Sequence, residues 1–150
     1  MLELLDVRAE RDALLPTRAN ATDAGLDLRA KEDVLLPKGK RVLVDTGVQV
    51  KIPEGYVGLQ ISRSSLSKQG IHMTNSVGVI DSGYRGNIFA SLMFVGLDDH
   101  DHMHINALDR ITQLLVIPIE YPEVQPRYCT DIEWNDTARG VGGFGSTGTK

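Results

Sequence analysis

From Arg41 to Ile52 the chain alternates. Val42, Val44, Thr46, Val48, Val50 and Ile52 fall on one side, and Arg41, Asp45, Gln49 and Lys51 on the other. A period of two held over that length predicts a strand with one buried face, bent or broken near Gly47. A turn at Pro53-Glu54-Gly55 leads to a second strand, Tyr56 to Ile61. Arg110 to Glu120 is apolar apart from Gln113 and predicts a buried strand. Between them, Val77, Val79 and Ile80 run into Asp81-Ser82-Gly83, after which Ile88, Ala90 and Leu92 alternate again. That reads as strand, tight turn, strand: a hairpin within residues 72–94. Shorter strands are expected over residues 2–7 and 127–134, and a turn at Pro37-Lys38-Gly39. In Arg63–Gly70, serines precede Leu66 and a glycine closes the segment. This predicts one or two helical turns capped by hydroxyls, with Arg63 beside an anion-attracting N-terminus. Gly96 to Ala107 reads as a polar loop. Many short strands, regular turns and almost no helix make an all-β sandwich or barrel.

A length of 150 residues suits one domain, and 41% hydrophobic with 24% charged residues is ordinary for a soluble globular chain. The net charge of -4 weighs against a nucleic-acid partner or an anionic membrane, while a nucleotide needs only a local cluster of donors. Cys129 is the single cysteine, so no intrachain disulfide can form and a reducing compartment fits. Met1–Asp6 shows neither a basic n-region nor a long apolar run. No signal peptide and no transmembrane helix are expected, and the cytoplasm (a host's, if the chain is viral) is the expected location. From Asn135 the composition shifts. Thr137–Lys150 holds five of the fifteen glycines, too apolar-poor to fold alone, so the expected division is a domain at 1–134 and a flexible tail at 135–150. In that tail Arg139, Phe144, Ser146 and Thr147 offer a cation, a ring and two hydroxyls, a workable set for closing on a phosphate and stacking on a base. No GxxxxGK[ST] loop occurs.

The turn of the expected hairpin places a carboxylate, Asp81, three residues from a ring, Tyr84. Such a carboxylate can orient or deprotonate a water, and the ring can stack on a sugar or a base. An ordinary hairpin with a polar tip is the plainer reading of that segment alone. His100, His102 and His104 also alternate. On a strand they would share a face and suit a transition metal, although a solvated loop is the simpler expectation.

Taken together, five blocks resemble the homotrimeric deoxyuridine triphosphatases. Ala24-Gly25-Leu26-Asp27-Leu28-Arg29-Ala30 resembles AGxDLxA, and Ser62-Arg63-Ser64-Ser65-Leu66 resembles PRS(G/S)L. Asn75 to Asn87 resembles NxxGxIDxDYRG, Asp109-Arg110-Ile111-Thr112-Gln113-Leu114 resembles DRIAQL, and Arg139 to Gly148 resembles RGxGGFGSTG. The resemblance implies a β-clip, a distorted jelly-roll barrel with one very short helix, assembled as a homotrimer with active sites at subunit interfaces. It implies Mg²⁺-dependent hydrolysis of dUTP to dUMP and pyrophosphate, which keeps uracil out of DNA and supplies dUMP for thymidylate synthesis. Carried over by position, Asp81 would activate the attacking water and Tyr84 would pack on the deoxyribose. Asn75, Gly78 and Ile80 would read the uracil edge. Arg63, Ser64, Ser65 and Gln113 would hold phosphates, and Asp27 would meet Mg²⁺ through water. The tail would close over a neighbour's site through Arg139, Phe144, Gly145, Ser146 and Thr147.

The chain departs from the pattern at Ser62, where proline is usual, at Gly83, where a second acid is usual, and in the His-rich loop 96–104. The alternatives are a dCTP deaminase-like enzyme and a dUTP-binding regulatory protein on the same fold. Lys68 stands where the deaminases have arginine, and no glutamate stands near Ser91-Leu92.

Overall fold

The computed structural model describes residues 4–96, 100–126 and 137. Its contacts separate two units, Met1–Glu120 and Tyr121–Lys150, and the elements below all belong to the first. The expected strand at 127–134, Cys129 and the tail residues Arg139, Phe144, Gly145, Ser146 and Thr147 lie outside the described residues. The strands are β1 (Asp6–Ala9), β2 (Leu26–Arg29), β3 (Val34–Pro37), β4 (Arg41–Asp45), β5 (Val48–Lys51), β6 (Tyr56–Ser62), β7 (Ile71–Met73), β8 (Val77–Ile80), β9 (Phe89–Phe94), β10 (His102–Ile105) and β11 (Arg110–Pro118). Among the described residues there are also one short helix, α1 (Ser64–Lys68), and one 3₁₀ turn. This is the all-β, nearly helix-free architecture that the alternation predicts.

The long alternation is one apolar face folded over a corner. β4 stops at Asp45, β5 starts at Val48, and Gly47 between them takes φ +64, the left-handed region that side chains resist. A Cβ there would also lie 2.7 Å from Leu14 Cδ1. Thr46, fully buried, keeps the corner's polar groups satisfied: its hydroxyl donates to the Ile88 carbonyl at 2.7 Å and accepts the Val48 N–H at 3.3 Å. The face thereby serves two cores. Val44 packs with Leu36, Ile71, Leu92, Phe94 and Ile111, whereas Val48, Val50 and Ile52 pack with Leu14, Leu28, Ile80 and Leu114.

Four groups of strands form: β1-β5, β3-β10, β2-β11-β6-β8 and β4-β9-β7. The expected hairpin is therefore corrected. β8 pairs with β6, and β9 pairs with β4 and β7, so residues 81–88 cross between sheets. The backbone of Ile88 is captured by the β4–β5 corner instead, donating to the Val48 carbonyl at 2.8 Å and accepting the Thr46 N–H at 3.2 Å. The N-terminal strand lies slightly later than expected, because its partner is β5, with Asp6 opposite Lys51 and Ala9 opposite Val48. Two further expectations change. The helix is not capped by hydroxyls: Arg63 is the N-cap residue, without a side-chain cap bond, and Ser64 and Ser65 are helical. Gly96–Ala107 is not all loop, because β10 forms with Met103 opposite Leu36 and Ile105, 4% exposed, in the core. The four residues His-Met-His-Ile carry their own period of two.

Leu108, just before β11, sits at φ +72 although it has a side chain, and its N–H donates to the Ala30 carbonyl at 2.8 Å. The left-handed position costs a residue with a Cβ roughly 1–2 kcal/mol. Glycine gives back roughly 0.4–1 kcal/mol of that through its freer unfolded chain. Because Leu108 is 39% exposed, Leu108→Gly also loses roughly 1–2 kcal/mol of side-chain burial. It is expected to change the unfolding free energy by no more than about 1 kcal/mol in a urea titration, far less than a buried leucine would. Gly47→Ala is expected to lower it by at least about 1 kcal/mol.

Candidate functional site

Two cavities in the first unit collect most of the described candidate residues, and they share none. One, of about 260 Å³, is lined by Gln60, Asn75, Gly78, Ile80, Asp81, Tyr84, Asn87 and Phe89 among others. The second, of about 340 Å³, is lined by Asp27, Arg63, Ser64, Ser65, Gln113 and the loop around Asp23–Gly25. A single chain thus gathers the expected base and sugar residues in one place and the expected phosphate residues in another.

The first cavity is built on β8, the outer strand of its sheet. An outer strand leaves one row of backbone N–H and C=O groups unpaired, so a flat ligand can bond to it. Gly78 lies opposite Gln60, which is 2% exposed and donates to Thr112 Oγ1 at 3.0 Å. A Cβ at Gly78 would lie 3.0 Å from Gln60 Oε1 and 3.5 Å from Asn75 Nδ2, so the missing side chain is what lets these amides approach. Beyond Ile80 the chain turns. The Asp81 carbonyl accepts the Tyr84 N–H at 3.0 Å, and Arg85 braces the turn by donating to the carbonyls of Ser82 and Tyr84, both at 2.7 Å. The Asp81 carboxylate is exposed, and among the described residues no hydrogen bond or ion pair engages it. Tyr84 is fixed: its hydroxyl donates to the Asn87 carbonyl at 2.7 Å, and its ring lies across Gly86, where a Cβ would come within 2.5 Å of Oη. At Gly83 a Cβ would meet nothing within 4 Å, so the turn does not demand glycine there.

Asp27 organises the second cavity. It is buried on β2, and its two oxygens meet different arginines: Arg63 Nε at 2.9 Å and Arg110 Nη1 at 3.2 Å. Arg63 is further held by donating to Ser65 Oγ and to the Arg110 carbonyl, both at 3.3 Å. Gln113 donates to the Ser62 carbonyl at 3.2 Å and rests over Gly25, where a Cβ would overlap Gln113 Oε1. Both Asp27 oxygens are therefore engaged, and among the described residues no group of three His, Cys, Asp or Glu side chains is placed to hold a metal. The described residues alone build no cage, but the arginines, hydroxyls and Gln113 amide suit an anion that brings its own hydrated hard cation.

Behind the Tyr84 loop lies a polar network. Asn87 Nδ2 donates to both Asp45 oxygens, at 3.1 and 3.2 Å, and Gln49 donates to Asn87 Oδ1 at 3.0 Å. Lys31 joins Asp45 at 3.5 Å and Glu10 at 2.9 Å. The hydrogen bond from Lys31 to Glu10, helped by the charges of Glu10 and Asp45 and opposed by partial desolvation, raises the lysine above its ordinary value of 10.5. Gln60, Arg110, Asn87 and this network escaped the sequence reading. Gln60 did leave a signal, a lone amide on the inward face of an apolar strand. The others depend on contacts between distant segments.

The family model for dUTPase matches residues 11–148. A deoxyuridine 5'-triphosphate nucleotidohydrolase of Mycolicibacterium vanbaalenii is 46% identical over 144 residues, covering 95% of this chain and 92% of the relative. One of Cutibacterium acnes is 43% identical over 135 residues, covering 89% of this chain and 85% of the relative. Among solved structures, the dUTPase of Staphylococcus bacteriophage 80alpha with dUPNHPP superposes with TM-score 0.86 at 30% identity, covering 99% of this chain and all 100% of the other. A variant dUTPase of phage phi11 of S. aureus, described with a structural Mg(II) ion, gives TM-score 0.75 at 30% identity, covering 85% of this chain and 99% of the other.

Because folding raises the Lys31 pKa, its ion pairs contribute their full stability below about pH 10.5 and lose it as the pH climbs through the raised value. Thermal unfolding between pH 8 and 12 is expected to show this alkaline loss in the native chain. Lys31→Met is expected to be less stable at neutral pH and to show a shallower decline above pH 10.

Proposed function

The chain belongs to the dUTPase family and hydrolyses dUTP to dUMP and pyrophosphate, and on that premise we propose which residues carry the reaction and how copies of the chain complete the site. The division of the candidate residues between two cavities without a shared residue is the observation that carries the reading. Copies related by symmetry bring the Asp81 cavity of one chain against the Asp27 cavity of its neighbour, and a homotrimer closes three such sites. Uracil lies along the free edge of β8, read by Asn75 and by backbone at Gly78 and Ile80. Cytosine would set an amino group against a donor there and leave it unpaired. The Tyr84 ring packs on the deoxyribose. An apolar pocket alone rejects an added hydroxyl by only about 10²-fold, so a ring pinned at both its hydroxyl and its face supplies the steric exclusion of ribose.

Arg63, Ser64, Ser65 and Gln113 hold the phosphates. Asp81, whose carboxylate has no partner among the described residues, takes a proton from a water as the water oxygen bonds the α-phosphorus. The bond from the α-phosphorus to the bridging oxygen breaks, and pyrophosphate leaves with that oxygen. Mg²⁺ would arrive with the triphosphate and would neutralise phosphate charge when bound, a hard ion that prefers oxygen. Asp27, its carboxylate already committed to the two arginines, would hold the ion only through water. From the neighbouring chain's tail, Phe144 stacks on uracil, while Arg139, Gly145, Ser146 and Thr147 close on the phosphates and exclude bulk water.

Pyrophosphate release is expected from dUTP and not from dCTP, dTTP or UTP, and is expected to stop when EDTA removes Mg²⁺. Asp81→Asn is expected to slow turnover by about 10²–10⁴-fold with dUTP binding retained. Ammonia release from dCTP, or full turnover by Asp81→Asn, would overturn this assignment. In the same assay Gly86→Ala, which displaces the Tyr84 ring, is expected to narrow the preference for dUTP over UTP by about 10-fold or more. An unchanged preference would remove Tyr84 from sugar selection.

A further inference from the structure

The His-rich segment lies outside the reaction just described, and its fold differs from the loop its composition suggests. β10 presents His102 and His104 on one exposed face, opposite Pro37 and Leu35 of β3. Their ring centroids are 5.6 Å apart with an interplanar angle of 80°. No hydrogen bond or ion pair engages either imidazole among the described residues, and the cross-strand neighbours Leu35 and Pro37 carry no charge.

The separation is chemically specific. A first-row metal sits about 2.0–2.1 Å from an imidazole nitrogen, which puts it roughly 3.2 Å from the ring centroid. Two rings meeting one metal at a tetrahedral angle then have centroids about 5.2 Å apart, and a wider angle brings this to about 5.5 Å. The rings already stand close to that spacing, on a strand whose buried Ile105 and half-buried Met103 fix its register. The backbone sets this spacing, and rotations of the two exposed side chains would bring one nitrogen of each ring onto a common ion.

We propose that His102 and His104 form a two-imidazole site for a borderline transition metal such as Zn²⁺, Ni²⁺ or Cu²⁺, distinct from the Mg²⁺ of the triphosphate. Neutral imidazoles favour these ions, whereas Mg²⁺ prefers oxygen. Among the described residues no third His, Cys, Asp or Glu joins the pair, so water fills the remaining positions. The site is coupled by position to the phosphate residues. His104 also lines a cavity of about 230 Å³ with Arg63, Ser65, Asp109 and Arg110, so one of the two rings borders residues proposed to hold phosphate. The sequence signal was present as an alternation of histidines, and β10 is what turns it into a shared face.

The test uses the full chain without nucleotide, titrated with Ni²⁺ and separately with Zn²⁺ by calorimetry in a non-chelating buffer near pH 7.5. One ion per chain is expected. Because the second imidazole acts as an intramolecular ligand, His102→Ala and His104→Ala are each expected to weaken binding by about 10²-fold. His72→Ala removes an exposed histidine of β7 and is expected to leave binding unchanged. With Cu²⁺, the electron paramagnetic resonance of the native chain is expected to show two equivalent nitrogen couplings, reduced to one in either variant. Absence of saturable binding up to about 1 mM, or binding that survives loss of either histidine, would overturn the proposal.

Discussion

A buried carboxylate needs partners, and Asp27 finds two. Removing a charge from water costs several kcal/mol unless other charges and hydrogen bonds replace the lost hydration. Arg63 and Arg110 supply that replacement, one at each carboxylate oxygen. The consequence is geometric. Asp27 stands on β2, Arg63 at the end of β6 where α1 begins, and Arg110 at the start of β11, so one ion triad locks three separate segments of the sequence together. It also fixes the residues proposed to hold phosphate, because Ser64, Ser65 and Gln113 are carried on those same segments. Arg63 is thereby oriented before any ligand arrives, which lowers the entropic cost of gripping an anion.

The second constraint is the corner at Gly47. It ends β4, starts β5 and divides the apolar face between two cores. It also intercepts the backbone at Ile88, so the chain after Asp81 enters a different sheet from β8. The crossing segment is then long enough to hold a braced turn, a pinned tyrosine and an exposed carboxylate on the rim of a cavity. A true hairpin would have paired β8 with β9 and covered the free strand edge on which the base is proposed to lie. The polar network of Glu10, Lys31, Asp45, Gln49 and Asn87 supports that segment from behind.

Much of this was legible in the residues. The alternation through Val42–Ile52, its break at Gly47, the strands over Tyr56–Ser62 and Arg110–Pro118, and the single short helix follow from period, glycine and composition. The hairpin expectation failed because local turn chemistry says how a chain bends and not which strand it pairs with next. β10 was missed because three polar histidines outweighed a period of two carried only by Met103 and Ile105. The expected hydroxyl cap failed because Ser64 and Ser65 enter the helix and leave the cap position to Arg63. At the site, Asp27, Arg63, Asp81 and Tyr84 were visible as chemistry-bearing residues within motifs. Arg110 as partner of Asp27, Gln60 beneath Gly78 and Asn87 behind Tyr84 were not, since each depends on segments far apart in sequence. The separation of the two cavities had no signal in the residues themselves and was anticipated only by the resemblance, which implies sites at subunit interfaces.

That separation makes one measurement decisive. Asp81→Asn removes the proposed base from the first cavity, and Arg63→Gln a proposed phosphate ligand from the second, keeping an amide beside Asp27. Each chain expressed alone is expected to be nearly inactive on dUTP. Co-expressed in equal amounts and assembled at random, the two variants are expected to recover about one quarter of native activity, because one site in four then joins an intact half from each. Mixed assemblies that form and yet stay as inactive as either parent would contradict the account, since both halves of the site would then belong to one chain.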